Sequence, residues 1–379
     1  MNYRERFAAT INHQAADRVP FDLAGTSLTG IEHASLTEKL KQLLGFAGSD
    51  DSGYSKFDER ILKYLDIDFR RVGDILEPES PLAGRRSAGE YTDCWGVTRV
   101  FTGLYWEIKH SPLKDAGLED LDTFPWPEPG KIDRRLIDGY REQAKRLCQK
   151  TDYVVCAEHP FYGVMELGCW MCGFDTFLMK MALEPEFVLK FFDKILAYQK
   201  QVIEIYYGAL GDYIHLTTSG DDFGTQTGPF ISPDMFRELV APYYQERIRH
   251  TRKFTQAAFF HHTCGSVFAL IPQLIAAGVD ILNPIQPGAR DMEPARLKQA
   301  YGGQITFWGG IDTQSILPGG TAAEVKQHVG QVLDAISDRG GYVLAPAHNI
   351  QPDVPPENIL AIYQAGKDYF SVRSPEVLC

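Results

Sequence analysis

The chain has 379 residues, 44% of them apolar and 23% charged, the balance of a globular protein long enough for one large barrel or two ordinary domains. Its formal net charge of −12 argues against nucleic acid or an anionic membrane surface as a partner.

In chain order, Met1-Asn2-Tyr3-Arg4-Glu5-Arg6 leads into a polar helical pattern over residues 4–12 and not into an apolar signal core. No segment approaches the ~20 uninterrupted apolar residues that span a bilayer, so a cytoplasmic location is the expectation. Short apolar or β-branched runs follow at 18–23, 67–73, 153–157, 213–219, 257–262, 279–284, 305–309 and 342–346. Amphipathic helical stretches at 35–44, 57–65, 134–149, 186–208, 233–253, 267–277, 294–300 and 321–339 fall between most of them. Buried strands alternating with helices imply a parallel sheet with helical crossovers. About eight such units in one chain predict an α/β fold, a single (β/α)8 TIM-type barrel with an extra N-terminal helix.

One region breaks the rhythm. After the second strand, residues 90–98 and 104–110 alternate like a β-hairpin around Phe101-Thr102-Gly103, and Phe124-Pro125-Trp126-Pro127-Glu128-Pro129 reads as a stiff connector. The expectation is one domain, 1–379, with an insertion at about 77–130. The seven cysteines, Cys94, Cys148, Cys156, Cys169, Cys172, Cys264 and Cys379, are odd in number and scattered, unlike a disulfide framework. Cys169 and Cys172 have CxxC spacing but fall in a helical pattern, where they share a face and read as packing.

Barrel active sites are built at the C-terminal ends of the strands. Those ends carry Asp22 and Gly25, Asp74, Glu158 and His159, Asp221 and Asp222, His262 and Cys264, Asn283 and Gln286, Asp312, and His348 and Asn349. Asp312, before Thr-Gln-Ser, is equally well read as a helix cap. His262 and Cys264 are different, because residues two apart on a strand point to one face and both are good zinc ligands. The last strand closes beside the first, so His348 faces the same cavity and is a reasonable third ligand. A His2Cys site leaves one position open, as catalytic zinc sites do; Glu158, Asp222 or Gln286 would fill it at rest. The alternative is a core-bonded His262, an inert Cys264 and a His348 that acts as an acid or substrate contact. His261 should point the other way.

Several motifs are similar to the uroporphyrinogen decarboxylase superfamily. They are Arg4-Glu5-Arg6-Phe7 with Asp17-Arg18-Val19-Pro20, Asp221-Asp222-Phe223-Gly224-Thr225-Gln226, Ile231-Ser232-Pro233-Asp234-Met235-Phe236, and His262-Thr263-Cys264-Gly265-Ser266. Phe307-Trp308-Gly309-Gly310-Ile311-Asp312 and Asn349-Ile350-Gln351 with Pro355-Pro356-Glu357-Asn358 complete the pattern, which runs nearly end to end. The resemblance implies a β/α barrel and one of two chemistries: cofactor-free decarboxylation of uroporphyrinogen, or zinc-dependent methyl transfer with a corrinoid protein.

The decarboxylases hold their polycarboxylate substrate with an arginine-rich N-terminal motif. The matching stretch here, Phe21 to Gly30, contains no Arg or Lys. Gly73-Asp74-Ile75-Leu76 does match the place of the decarboxylases' essential aspartate, and their tyrosine is replaced by Glu166. His262-x-Cys264 matches the first two zinc ligands of the methylcobamide:thiol methyltransferases, which usually carry a cysteine near His348. One thiolate in place of two leaves the zinc site with a net charge of +1, a stronger Lewis acid suited to polarising an O-methyl donor.

The leading expectation is therefore a methyltransferase closest to the corrinoid-dependent branch, with zinc on His262, Cys264 and His348. Asp222, Glu158 and Asp74 are the catalytic candidates; Asp22, Asp221, Gln286, Asn283 and Asn349 are the substrate-binding ones. The corrinoid (a cobalamin) would be carried by a separate partner protein, the small molecule would be the methyl donor or acceptor, and a homodimer is possible. The rival is a metal-free uroporphyrinogen decarboxylase of tetrapyrrole biosynthesis, with Asp74 as pyrrole anchor and His348 as substrate contact. A binding-only barrel is the third reading.

Overall fold

The computed structural model describes residues 1–50, 52–84, 87, 89–103 and 106–373. Seven strands form one parallel sheet: β1 (Phe69–Val72), β5 (Val154–Ala157), β6 (Leu216–Thr217), β7 (Ala258–His262), β8 (Ile281–Ile285), β9 (Thr306–Ile311) and β10 (Tyr342–Pro346), paired in that order. The predicted strand at 18–23 shrinks to a single bridging residue, Phe21 against Leu344. That residue still closes the sheet. The Asp22 N–H donates to Leu344 O (2.9 Å) and the Leu344 N–H to Pro20 O (3.0 Å), while the Asp68 N–H donates to Phe21 O (3.0 Å). Pro20 has no N–H to give, and the chain turns at Gly25, so the ladder cannot extend further. The result is the expected TIM-type barrel.

Alternation along the strands divides the core in two. Phe69, Val154, Cys156, Leu216, Phe260, Ile281, Trp308 and Val343 fill the barrel interior. Trp308 lies at its centre, with ring centroids 4.5 Å from Phe69 and 5.2 Å from Phe260. Outward residues such as Val72, Val155, Phe259 and Leu344 pack against the helices. The N-terminal helix, Tyr3–Ile11, is set by a capping box between Asn2 and Glu5.

The insertion departs from the expected hairpin. It is a three-stranded antiparallel sheet, β2 (Glu90–Thr92), β3 (Thr98–Phe101) and β4 (Trp106–His110), with β3 in the middle. The predicted first arm is broken at Trp95-Gly96, where Asp93 accepts from the Trp95 and Val97 N–H groups and Gly96 takes φ +82°. Leu104, within the second predicted arm, and Cys379 lie outside the described residues. Helices Val164–Cys172, Phe174–Leu183 and the last one, Pro356–Arg373, lie outside the predicted helical stretches, although the Cys169–Cys172 part reads as helical. Cys169 and Cys172 are buried in the first of these, as packing requires.

Candidate metal centre

The inward positions of β1, β5 and β7 continue the interior layers toward the C-terminal mouth. Above Phe69 comes Arg71, above Cys156 comes Glu158, and above Phe260 comes His262; Thr218 and Asn283 join them from β6 and β8. Beyond this floor the loops bring in Asp222, Cys264 and His348. His262 Nε2 lies 3.3 Å from Cys264 Sγ, and the His262 and His348 rings are 5.3 Å apart at their centroids. One donor atom from each of the three lies within 4.8 Å of the others. Donors about 2.0 and 2.3 Å from a tetrahedral zinc ion stand ~3.5 Å apart, so the spacing fits such an ion.

The His262 ring is oriented from behind. Its Nδ1 meets Asn283 Oδ1 at 2.6 Å, and Asn283 Nδ2 donates to Trp308 O at 3.3 Å. Asn283 can offer its oxygen only as acceptor, so Nδ1 carries the proton and Nε2 presents a lone pair to the centre. Burial lowers the His262 pKa, and burial beside His262 lowers that of His348 to about 4, so both rings are neutral, ligand-competent imidazoles. Burial and Asp222 push the Cys264 thiol up; a cation at the centre would reverse that. The Cys264 N–H donates to Asp222 Oδ1 (2.7 Å), which also sits 3.9 Å from His262 Nε2. Gly265 then turns the chain at φ +83°, and a Cβ there would fall 2.5 Å from Thr225 O.

Glu158 is buried and heavily solvated by protein. Ser27 N–H (2.6 Å) and Arg71 Nη1 (3.3 Å) approach Oε2, while His159 Nδ1 (2.5 Å), His159 N–H (2.9 Å) and Thr218 Oγ1 (3.1 Å) approach Oε1. Burial opposes its charge, but the neighbouring His159 and Arg71 outweigh that and hold the carboxyl well below its ordinary range. It is built to orient and to carry charge, and poorly suited to exchange a proton. Asp74 is half exposed, paired with Lys56 and 3.5 Å from the Tyr140 hydroxyl.

The polar residues expected to touch substrate are each engaged by neighbouring groups of the protein. Asp22 is sealed from solvent, accepting from the Thr29 hydroxyl (2.6 Å), Gly25 N–H (2.8 Å) and Trp308 Nε1 (3.1 Å). Asp221, equally sealed, accepts from the Met165 and Glu166 N–H groups at the start of helix Val164–Cys172 and from the Tyr244 hydroxyl. Asn283 orients His262. Gln286 accepts the Gly265 N–H (2.7 Å), and Asn349 accepts the Gly30 N–H while donating to Ser27 O and Glu32. Asp312 holds the turn before helix Ile316–Gly319, accepting from the Gln314 and Ser315 N–H groups. His261 points outward and packs against Phe223 and Tyr244.

Sequence reasoning gave no role to three residues here. Arg71 was legible from the period-two alternation of β1. His159, hydrogen-bonded to Glu158, stands beside it at the predicted strand end, and Glu166 sits on the first turn of a helix that no strand pattern reaches. Burial, with Asp222 and Asp221 beside it, raises the Glu166 carboxyl well above its ordinary range.

In comparison with known proteins, a methyltransferase from Methanosarcina mazei superposes with a TM-score of 0.65 at 14% identity, covering 98% of this chain and 99% of that one. That likeness shows the fold. A β-glycosidase from Thermosphaera aggregans (TM-score 0.47, 10% identity, 94% and 97% covered) shares less of it. So does a vitamin-B12-independent methionine synthase from Listeria monocytogenes (0.43, 10%, 93% and 98%). No curated protein sequence matches the chain. Residues 138–369, more than half of the molecule, match uroporphyrinogen decarboxylase (URO-D), and they contain every strand from β5 to β10 together with all three clustered donors. The chain is a member of the uroporphyrinogen decarboxylase family.

Proposed function

We propose that the protein is a zinc-dependent methyltransferase that moves a methyl group between a small molecule, such as an O-methyl donor, and a separate corrinoid protein. The observation that carries this reading is the convergence of His262, Cys264 and His348 at the mouth of the barrel, with the second His262 nitrogen fixed by Asn283. Bound zinc would supply Lewis acidity toward the donor's oxygen. Asn283 keeps the His262 lone pair aimed at the centre. Asp222 holds the backbone of Cys264 and is the nearest carboxylate for a fourth position. Glu158, fixed by five contacts, orients His159.

The decarboxylase alternative asks for a free Asp74 and for cations around the substrate's carboxylates. Asp74 is instead ion-paired with Lys56, and residues 21–30 carry no cationic side chain. Metal analysis of the purified protein decides between them. About one equivalent of zinc, lost in Cys264→Ala and in His348→Ala, together with zinc-dependent methylation of cob(I)alamin by an aryl methyl ether, supports the proposal. Absence of metal accompanied by turnover of uroporphyrinogen defeats it.

A further inference from the structure

The proposed centre leaves one charged group of the barrel floor without a task. Arg71 points inward from β1, and its side chain is 19% exposed toward the mouth. Its Nη1 makes one contact, 3.3 Å from Glu158 Oε2. That contact is single and long, unlike the two-pronged pairing an arginine makes with a carboxylate it exists to neutralise. Glu158 already receives Ser27, Thr218 and both donors of His159, so Arg71 is not its main partner.

On the other side of the guanidinium, Nε is buried with no hydrogen-bond partner. Among the described residues no acceptor for Nη2 is found either. Nε and Nη2 form the edge whose two parallel N–H groups match the two oxygens of a carboxylate. A buried donor of a charged group left unpaired costs free energy, and a ligand that satisfies it recovers that cost on binding. Arg71 on β1, Glu158 just after the neighbouring β5 and His262 on β7 are all inward positions at the same C-terminal end of the barrel, which sets Arg71 and the candidate metal centre at one mouth.

We infer that Arg71 is the anchor for an anionic end of the small-molecule substrate, a carboxylate by preference, so that the methylated atom is presented to the His262–Cys264–His348 side. The inference rests on the methyl-transfer reading for what happens at the other end of the molecule. The anion anchor itself is independent of it. The substrate class is then a small methylated acid, and neutral methyl ethers of the same shape are poor ligands.

The test uses the full-length, zinc-supplemented protein and calorimetric titration with matched probes: acetate, benzoate and 4-methoxybenzoate, each beside its primary amide. Arg71→Gln and Arg71→Lys are titrated alongside, with thermal unfolding to certify that each is folded. The expected result is at least tenfold tighter binding of one or more carboxylates over their amides in the wild type. That preference vanishes in Arg71→Gln and is reduced in Arg71→Lys, because an ammonium cannot reproduce the two-pronged edge. Equal affinities for acid and amide, a preference that survives in Arg71→Gln, or no saturable binding of any carboxylate overturns the inference. Zinc content measured on the same samples keeps the two readings apart. A wild type that holds zinc but shows no carboxylate preference removes the anchor alone, whereas a wild type that shows the preference but takes up no zinc removes the metal reading alone.

Discussion

At the scale of single residues, the site depends on polar side chains that hold other side chains in place. Asn283 is the clearest. Its oxygen fixes the tautomer of His262 at 2.6 Å, the kind of outer contact whose loss typically weakens a metal site by 10–100-fold. On the proposed zinc site, Asn283→Ala should therefore still bind zinc at saturation but release it about 10–100-fold more readily to a competing chelator; unchanged affinity would show that Asn283 is packing alone. Asp22 carries a pH signature. Burial raises its pKa to about 7, against an ordinary 3.8. Below pH 4 both folded and unfolded chains hold the proton and nothing differs. Between pH 4 and 7 the unfolded chain releases it while the folded one keeps it, so stability falls as pH rises, by on the order of 4 kcal/mol in all. Asp22→Asn removes that slope but leaves the Gly25 N–H facing an amide in place of a carboxylate oxygen. The variant should be the less stable protein at pH 5 and should gain on the wild type by several kcal/mol on going to pH 8, read by urea unfolding at each pH. A gap that stays constant with pH would place the Asp22 proton elsewhere.

At the scale of elements, helix Val164–Cys172 shows how the mouth is assembled. Its first N–H groups have no cap within the helix, since Gly163 offers no side chain; Asp221 supplies it from the loop after β6. The fit is close, because a Cβ on Gly163 would stand 2.1 Å from the Asp221 carboxyl carbon. Asp221→Ala leaves two helix N–H groups and the Tyr244 hydroxyl unpaired in a sealed space, and should cost about 3 kcal/mol in denaturant unfolding. Because Glu166 sits on that first turn, the same change should disturb the wall beside Asp222; Asp221→Asn, which keeps one acceptor, should cost less. Only its Cys169–Cys172 part reads as helical in the sequence, and its extent was hidden because it is apolar nearly all round, with only Glu166 and Trp170 reaching partial exposure, so no stripe marks its bounds. Amphipathic elements such as Arg134–Lys150 and Ala322–Ile336 were legible almost to the residue, since a polar face and an Asp133 or Thr321 cap announce them.

At the scale of the whole molecule, the barrel's order of strands and its three clustered donors were readable because both follow from period-two alternation and from where strands end. The roles of the remaining polar residues were not. Whether Asp22 meets substrate or a tryptophan depends on how residues 22–30 fold back, and that is a property of the closed barrel. Closure itself hangs on few bonds, since the first strand is one residue long. Its support is Asp68, buried between two arginines: Oδ1 accepts from Arg6 (2.7 Å), and Oδ2 from Arg18 (2.8 Å) and the Phe21 N–H (2.8 Å). One carboxylate thus ties the N-terminal helix, the closing residue and β1 together. Removing a single member of a buried charge cluster strands the others, at a typical cost of ~3–5 kcal/mol. Asp68→Ala should lose that much stability. It should also loosen the segment from Phe21 to Gly30, whose Ser27 N–H reaches Glu158 and whose Gly30 N–H reaches Asn349. Hydrogen exchange at the amides of Phe21, Asp22 and Ser27 should then accelerate well beyond that of β7 and β8 in the same variant. If all strands exchange alike, or the denaturation midpoint does not move, the barrel is closed by its inner packing around Trp308 and not by this carboxylate.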